Sequence, residues 1–382
     1  MSDGAITAEV GRSVAALDAD QWNALAGDAN PFVSHAFLSL LEASGSVGRG
    51  TGWTPAPITI KGADGRLVAA LPSYLKSHSQ GEYVFDHNWA QALENSGGSY
   101  YPKLQIAAPF TPATGPRLLL ADPVWAGPIL IAAQNLAEQN RLSSVHATFI
   151  EPAQQPLFEQ AGWLMRADTQ FHWRDEGYGD FEGFLGSLTS RKRKDLRKER
   201  AKAQEGVQIV HLTGDAITEA HWDAFWVFYQ DTGARKWGQP YLTREAFSLI
   251  GQTMADKVLL ILALDNGFPI AGALNFIGGD TLYGRYWGCT LDKPFLHFEL
   301  CYYQAIDAAL ARGLSRVEAG AQGGHKMARG YAPELTWSAH YIVDPGFRRA
   351  VSDFLVRERA AVAADRALLT EMLPFRRGQS PA

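Results

Sequence analysis

Two stretches decide the fold: Ile58-Thr59-Ile60, then Asp64-Gly65, then the apolar run 67–75; and the run 259–264, then Asn266-Gly267, then the run 270–277. Each reads as strand, tight turn, strand, because Asp-Gly and Asn-Gly between apolar runs supply the positive φ angles that hairpin turns need. The same order then continues in both places. After the first hairpin come a strand at 104–109, an amphipathic helix at 125–139 and a strand at 145–150; after the second come a strand at 282–289, a helix at 299–312 and a strand at 316–319. Each copy is also preceded by a helix with Trp near its start, Asp20-Gln21-Trp22 and Ala220-His221-Trp222-Asp223. The chain is therefore an internal duplication.

The spacing from turn glycine to last strand is 80 residues in the first copy (Gly65 to Val145) and 50 in the second (Gly267 to Val317), which places an insertion near 77–102. A helix, an antiparallel hairpin and then strand-helix-strand make a mixed α/β unit of the α+β type, with mostly antiparallel sheets. The expected division is 1–170, 171–345 with a basic helix at 187–205 at its start, and 346–382 as a C-terminal helix and tail.

The 382 residues, 46% hydrophobic and 11% aromatic, suffice for two cores. A surplus of aromatics has two readings, a large interior or ligand grooves. The formal net charge of -5 supplies no global attraction to nucleic acid or anionic membrane, so such contacts need a local patch. Cys289 and Cys301 stand outside any C-x-x-C pair, which argues against a disulfide framework or zinc knuckle. The first residues carry Asp3 and Glu9 without a long apolar run, and no stretch reaches the length of a membrane span. A cytoplasmic protein is the expectation.

The element order resembles the GNAT acyltransferase unit, whose last helix commonly ends in a Gly-aromatic pair such as Gly162-Trp163. Two such units followed by basic helical sequence resemble the FemABX enzymes, and the chain is most similar to the bacterial family of N-acyltransferases described as peptidoglycan biosynthesis or recognition proteins. The strings that carry this likeness include Tyr100-Tyr101-Pro102-Lys103, Phe110-Thr111-Pro112-Ala113-Thr114-Gly115-Pro116-Arg117, Gly284-Arg285-Tyr286-Trp287-Gly288, His297-Phe298-Glu299-Leu300 and Glu318-Ala319-Gly320-Ala321-Gln322-Gly323-Gly324-His325-Lys326.

The resemblance implies that the loop holding Thr111, Thr114, Gly115 and Arg117 faces the pyrophosphate of an acyl-CoA donor at a helix N-terminus. Pro112 and Pro116 equally suit a rigid turn. The matching loop of the second copy, 290–297, has no glycine and would hold a pyrophosphate poorly; FemABX enzymes also lack the full loop and take acyl groups from aminoacyl-tRNA. N-acyl transfer needs a base for the amine proton, and His297, Glu299 and Glu318 are the candidates, each with a packing alternative. Gln322, His325 and Lys326, on the loop after a core strand, are candidates for contacts to an anionic group or oxyanion. Asp86, His87, Tyr101 and Lys103 at the insertion, and Arg285, Tyr286 and Trp287 on the strand, are expected to line the acceptor site. No metal-binding or hydrolase motif accompanies Asp86-His87, and neither a metal nor a redox cofactor is expected.

Residues 191–202 pack eight basic side chains into twelve positions. The run reads either as a solvated helix face or as a surface for tRNA phosphates or an anionic lipid-linked precursor. The sequence thus points to an N-acyltransferase that moves an acyl group from an activated donor, acyl-CoA first, to a small-molecule or peptide amine held in a groove between the copies. Two alternatives stay open: an aminoacyl-tRNA-dependent transferase acting on a peptidoglycan precursor, and a non-catalytic binder of cell-wall fragments on a degenerate scaffold.

Overall fold

The first copy contributes β1 (Ala8–Val10), β2 (Trp53–Pro55), β3 (Ile58–Lys61), β4 (Leu67–Leu71), β5 (Ser73–Lys76), β6 (Lys103–Ile106), β7 (Leu119–Leu120) and β8 (Ser144–Ile150). The run 67–75, expected as one strand, is two. Pro72 has no N–H for a ladder, and the chain changes sheets there: β4 pairs with β3 and β7, while β5 pairs with β2 and β6. Pairing is antiparallel except for β6 with β8, which run parallel with Leu104 opposite Val145. The helix Ala126–Gln139 buries Ile129, Leu130, Ala133 and Ala137 along one stripe, packed in a core with Ile58, Ile60, Leu104, Ile106 and Val145. Trp22, in the helix Ala19–Ala26, is fully buried and donates from its indole to Val33 O at 2.9 Å.

The second copy follows β9 (Leu164–Arg174) and contains β10 (Gln208–Leu212), β11 (Val258–Asp265), β12 (Phe268–Gly278), β13 (Thr281–Cys289), β14 (Arg316–Glu318) and β15 (Ala332–Ile342). Asn266 and Gly267 both have positive φ, 49° and 84°; they form the two-residue turn between β11 and β12, with Asp265 opposite Phe268. β10 to β13 are antiparallel neighbours, and β13 runs parallel to β14. The core joins Leu259, Ile261, Leu282 and Val317 to Leu300, Ile306 and Ala309 of the helical stretch that follows β13. The C-terminal helix spans Pro345–Glu371.

This computed structural model describes residues 7–236, 240–320 and 323–376, and its compact units differ from the three consecutive pieces expected. Unit 1 is Met1–Asp168 with Leu335–Ala364, and unit 2 is Thr169–Glu334 with Asp365–Ala382. The chain leaves unit 1 within β9, returns within β15 and leaves again within the C-terminal helix. Strand edges explain the exchange, because an unpaired edge exposes a row of main-chain donors and acceptors. In unit 1 the edge of β8 is covered by β15, with Ile342 opposite Ser144; in unit 2 the edge of β14 is covered by β9, with Glu318 opposite His172.

Candidate functional site

In unit 2 the parallel strands β13 and β14 keep register only from Thr281 to Tyr283. β13 continues six residues further to Cys289 with no described ladder partner on that side. A bulge sits at the start of this extension: Asn275 faces Gly284 and Leu274 faces Tyr286, so Arg285 is the extra residue. Such bulges re-aim side chains and interrupt the ladder. Past Cys289 the chain turns through Phe295, whose φ is 65°, into a helical stretch beginning at Leu296. Between the strand end and this stretch lies a cavity of about 350 Å³, lined by Trp287, Cys289, Leu291, Phe295, His297 and Phe298 among others. Its walls are largely aromatic and aliphatic. Asp292 and Lys293 also line it, and the Lys293 ammonium donates to Glu205 O at 2.8 Å; one cation beside a carboxylate, without a glycine-rich turn, is a poor cradle for a pyrophosphate.

His297, Trp287 and His325 are brought together, as their spacing in the sequence did not require. The His297 ring lies 5.1 Å from Trp287, 5.5 Å from Tyr302 and 6.1 Å from His325, and the Tyr302 hydroxyl is hydrogen bonded to His325 Nε2 at 2.8 Å. Glu318 ends β14 at 4% exposure, with the Arg316 guanidinium 3.8 Å from one carboxylate oxygen. Lys326 is buried and donates to Gly320 O at 2.7 Å, so it pins the loop that leaves β14. Arg285 stacks 5.3 Å from the Tyr286 ring, which in turn meets Tyr229 edge-on. Gln322 lies outside the described residues.

Glu299 has a different setting from the one a base requires. It is fully buried at the start of a π-helical turn, Glu299–Tyr303, and its carboxylate accepts from Arg200, Gln204 and Gln304 at 2.9, 2.8 and 2.7 Å. These bonds anchor the helix Ser190–Gln204 rather than present a proton acceptor to an amine. π turns of this kind recur near functional sites. The basic run is thus two-faced. Arg200 and Glu199 point into the unit, whereas Arg191, Lys194 and Lys198 are exposed. Glu199 accepts from Arg329 Nη2 at 2.8 Å and from the Tyr303 hydroxyl at 2.5 Å.

The loop expected to hold the donor in the first copy is closed. Arg117 is 1% exposed and donates to Thr148 O, Pro116 O and Ala113 O at 2.7, 3.1 and 2.8 Å. Thr111 is buried and donates to Pro109 O. Gly115 N donates to Phe149 O, and a Cβ there would meet Asn30 Nδ2 at 2.0 Å; that amide itself donates to Thr114 O. The helix after the loop begins only at Ala126, beyond β7 and a short turn, so Thr111, Thr114, Gly115 and Arg117 do not lead directly into its N-terminus.

The insertion residues also differ from an acceptor lining. Lys103 is fully buried, contacts Asp86, and donates to Glu82 at 2.7 Å and Ser79 at 2.8 Å. Burial works to raise the Asp86 carboxyl, yet the Lys103 ammonium holds it below its ordinary range. Burial pushes Lys76 down to about 7 and Glu82 up to about 7. The Tyr100 hydroxyl donates to Asp86 at 2.7 Å and reaches His146, whose Nδ1 lies 2.6 Å from Nδ1 of His340. Tyr101 joins this network through Ser79 at 2.8 Å, while His87 is exposed at the start of the helix His87–Asn95. Sequence reasoning missed Lys76, Glu82 and His146 here, and Tyr302, Arg329, Glu199 and Arg200 in unit 2. The signal for the last two was the spacing of Leu196, Glu199, Arg200 and Ala203, one stripe of a helix.

A family profile described as FemAB-like, peptidoglycan biosynthesis/recognition, matches residues 13–377. No curated protein matches the chain by sequence. Among solved structures, FemX superposes with TM-score 0.55 at 12% identity, covering 88% of this chain and 98% of its own. L-PGS from Bacillus licheniformis superposes with TM-score 0.50 at 10% identity, covering 91% and 98%. A conserved protein of unknown function from Bacteroides thetaiotaomicron superposes with TM-score 0.53 at 11% identity, covering 88% and 100%. At these identities the likeness is one of fold, and the fold is the tandem GNAT-like arrangement expected from the duplicated element order. No helix among the described residues is long and apolar enough to cross a membrane.

Proposed function

We propose, from the premise that the chain belongs to the FemAB-like family of peptidoglycan biosynthesis and recognition proteins, that unit 2 transfers an aminoacyl group from an ester donor to a primary amine. The carrying observation is the separation of β13 from β14 beside a largely apolar cavity whose rim sets Asp292 next to Lys293 and has no glycine-rich phosphate loop. The donor end that suits such walls is a flat adenosine with the acyl group esterified to its ribose. The polyanion behind it, a tRNA, would meet the exposed cations Arg191, Lys194 and Lys198 of the same unit. This favours aminoacyl-tRNA over acyl-CoA, because the first-copy loop has no accessible cation and the second-copy loop has no glycine.

In the reaction the amine nitrogen attacks the ester carbonyl and its proton passes to the Glu318 carboxylate; as the tetrahedral intermediate collapses to the amide, the C–O bond to the ribose breaks and Glu318 returns that proton to the leaving ribose oxygen, which departs as a hydroxyl. His325 and His297 stand in the same unit as donors to the tetrahedral oxyanion. The acceptor proposed, from the family's description in peptidoglycan biosynthesis and recognition, is a peptidoglycan stem peptide with a free primary amine.

The test incubates the purified protein with that peptide and either aminoacyl-tRNA or acetyl-CoA, and measures amide product by mass spectrometry. Product from aminoacyl-tRNA, lowered about 100-fold or more in Glu318→Gln, supports the reading. Product from acetyl-CoA with equal efficiency overturns the choice of donor. No product from either donor, with the stem peptide still bound, leaves the non-catalytic binder.

A further inference from the structure

The inner face of the helix Ser190–Gln204 holds the loop that carries His325. Glu199 accepts from Arg329 Nη2 at 2.8 Å; Arg329, 6% exposed, donates from Nη1 to His325 O at 2.8 Å and lies 3.4 Å over the Phe298 ring. The next residue, Arg200, joins Glu299 at 2.9 Å and Asp307 at 2.6 Å. The helix is therefore bonded on one side to both walls of the aromatic cluster, the π turn and the loop 323–330. Its opposite side carries the exposed cations. Leu196 and Ala203, both buried, fix its rotation so that the two faces cannot exchange roles.

We infer that Glu199 and Arg329 are positioning residues, holding His325 and Phe298 in place from behind while the outer face of the same helix receives the polyanionic donor. This rests on the aminoacyl-transfer reading above. A single rigid element then sets both where the donor docks and where the ring of His325 stands, which is how a contact remote from the chemistry raises a rate. The two faces separate kinetically. Removing outer cations weakens donor binding. Removing Glu199 takes away a negative charge, which can only favour a polyanion, yet frees Arg329 and with it the His325 carbonyl.

The experiment compares wild type with Glu199→Gln, Arg329→Lys and Lys194→Ala/Lys198→Ala, using aminoacyl-tRNA as the varied substrate, with hydrogen exchange of the 323–331 peptide measured in parallel. Glu199→Gln and Arg329→Lys are expected to lower kcat about 10-fold to 100-fold with KM for the tRNA unchanged or reduced. They should also speed exchange of 323–331 about tenfold. The double lysine variant should raise KM and leave exchange as it is. A raised KM with intact kcat in Glu199→Gln overturns the inference, as does wild-type exchange in 323–331. Exchange needs no turnover, so a wild-type protein that forms no amide defeats the aminoacyl-transfer reading while the exchange result still decides this one.

Discussion

His172 in β9 gives a sharp test of how unit 2 is built. It stands opposite Glu318, the proposed base, at 4% exposure, with Nε2 3.2 Å from Gln170 Oε1. Burial drives its pKa down to about 3, and the cations Arg316, Arg174 and Lys326 push in the same direction. An unfolded histidine titrates near 6.5. Between those values the unfolded chain holds a proton that the folded chain refuses. Stability from the neutral ring is therefore complete above about pH 6.5 and is lost as the pH falls toward 3. One proton of difference is worth about 1.4 kcal/mol per pH unit, so going from pH 7 to pH 5 removes about 2 kcal/mol through this side chain alone.

The perturbation is His172→Gln, which keeps an N–H for Gln170 and cannot titrate. The assay is hydrogen exchange of peptides from β9 and β14, read as opening free energies at pH 7 and pH 5 and compared between the two proteins at each pH. Local readout matters because His146 and His340, also buried with lowered pKa values, would destabilise unit 1 on acidification in the same way. The variant should lose about 2 kcal/mol less than wild type over the two pH units. Equal losses in the two proteins would show that His172 is not buried in its neutral form and would refute the reasoning.

Two further substitutions probe unit 1. Lys103→Met removes the ammonium shared by Glu82 and Asp86 and strands two buried carboxylates, an expected cost of about 3–5 kcal/mol; urea unfolding followed by exchange of the β6 peptide measures it, and a loss below about 1 kcal/mol would mean that the cluster is hydrated and loose. Arg117→Met leaves the carbonyls of Thr148 and Ala113 without their donor, which should lower stability by about 1–3 kcal/mol. The same variant should bind tRNA and CoA as wild type does; calorimetry showing a selective loss of CoA affinity would restore the first-copy loop as a donor site.

The duplicated order of elements was legible because it rests on signals local in sequence. Asn266-Gly267 demands positive φ at two successive residues, and Trp22 and Trp222 each mark an apolar helix face that must be covered. The exchange of β9 and β15 was not legible, since alternation reports which face of a strand is buried and says nothing of which edge it joins. Alternation also misleads at β6. Leu104 and Ile106 point to the core, so Lys103 and Gln105 read as outward and accessible, yet Ser79, Glu82 and Asp86 of the insertion close over Lys103, Gln105 donates to Thr148, and all four are buried. A lysine fit for an acceptor site thereby became a structural cation.

The charge run at 191–202 shows why composition alone could not choose between a solvated face and a binding surface. Eight cations among twelve residues read as one feature, but a helix turns 100° per residue and divides them. Leu196, Glu199, Arg200 and Ala203 fall on one stripe and enter the unit; the ion pairs of Glu199 and Arg200 there are half-buried and tied to Arg329, Glu299 and Asp307. Arg191, Lys194 and Lys198 fall outside it. Because the inner stripe includes the one acid that pairs with Arg329, the outer face is left with an excess of positive charge on a molecule whose net charge is -5. The patch that the total charge does not supply is made by the folding of this helix, through its choice of which residues to bury.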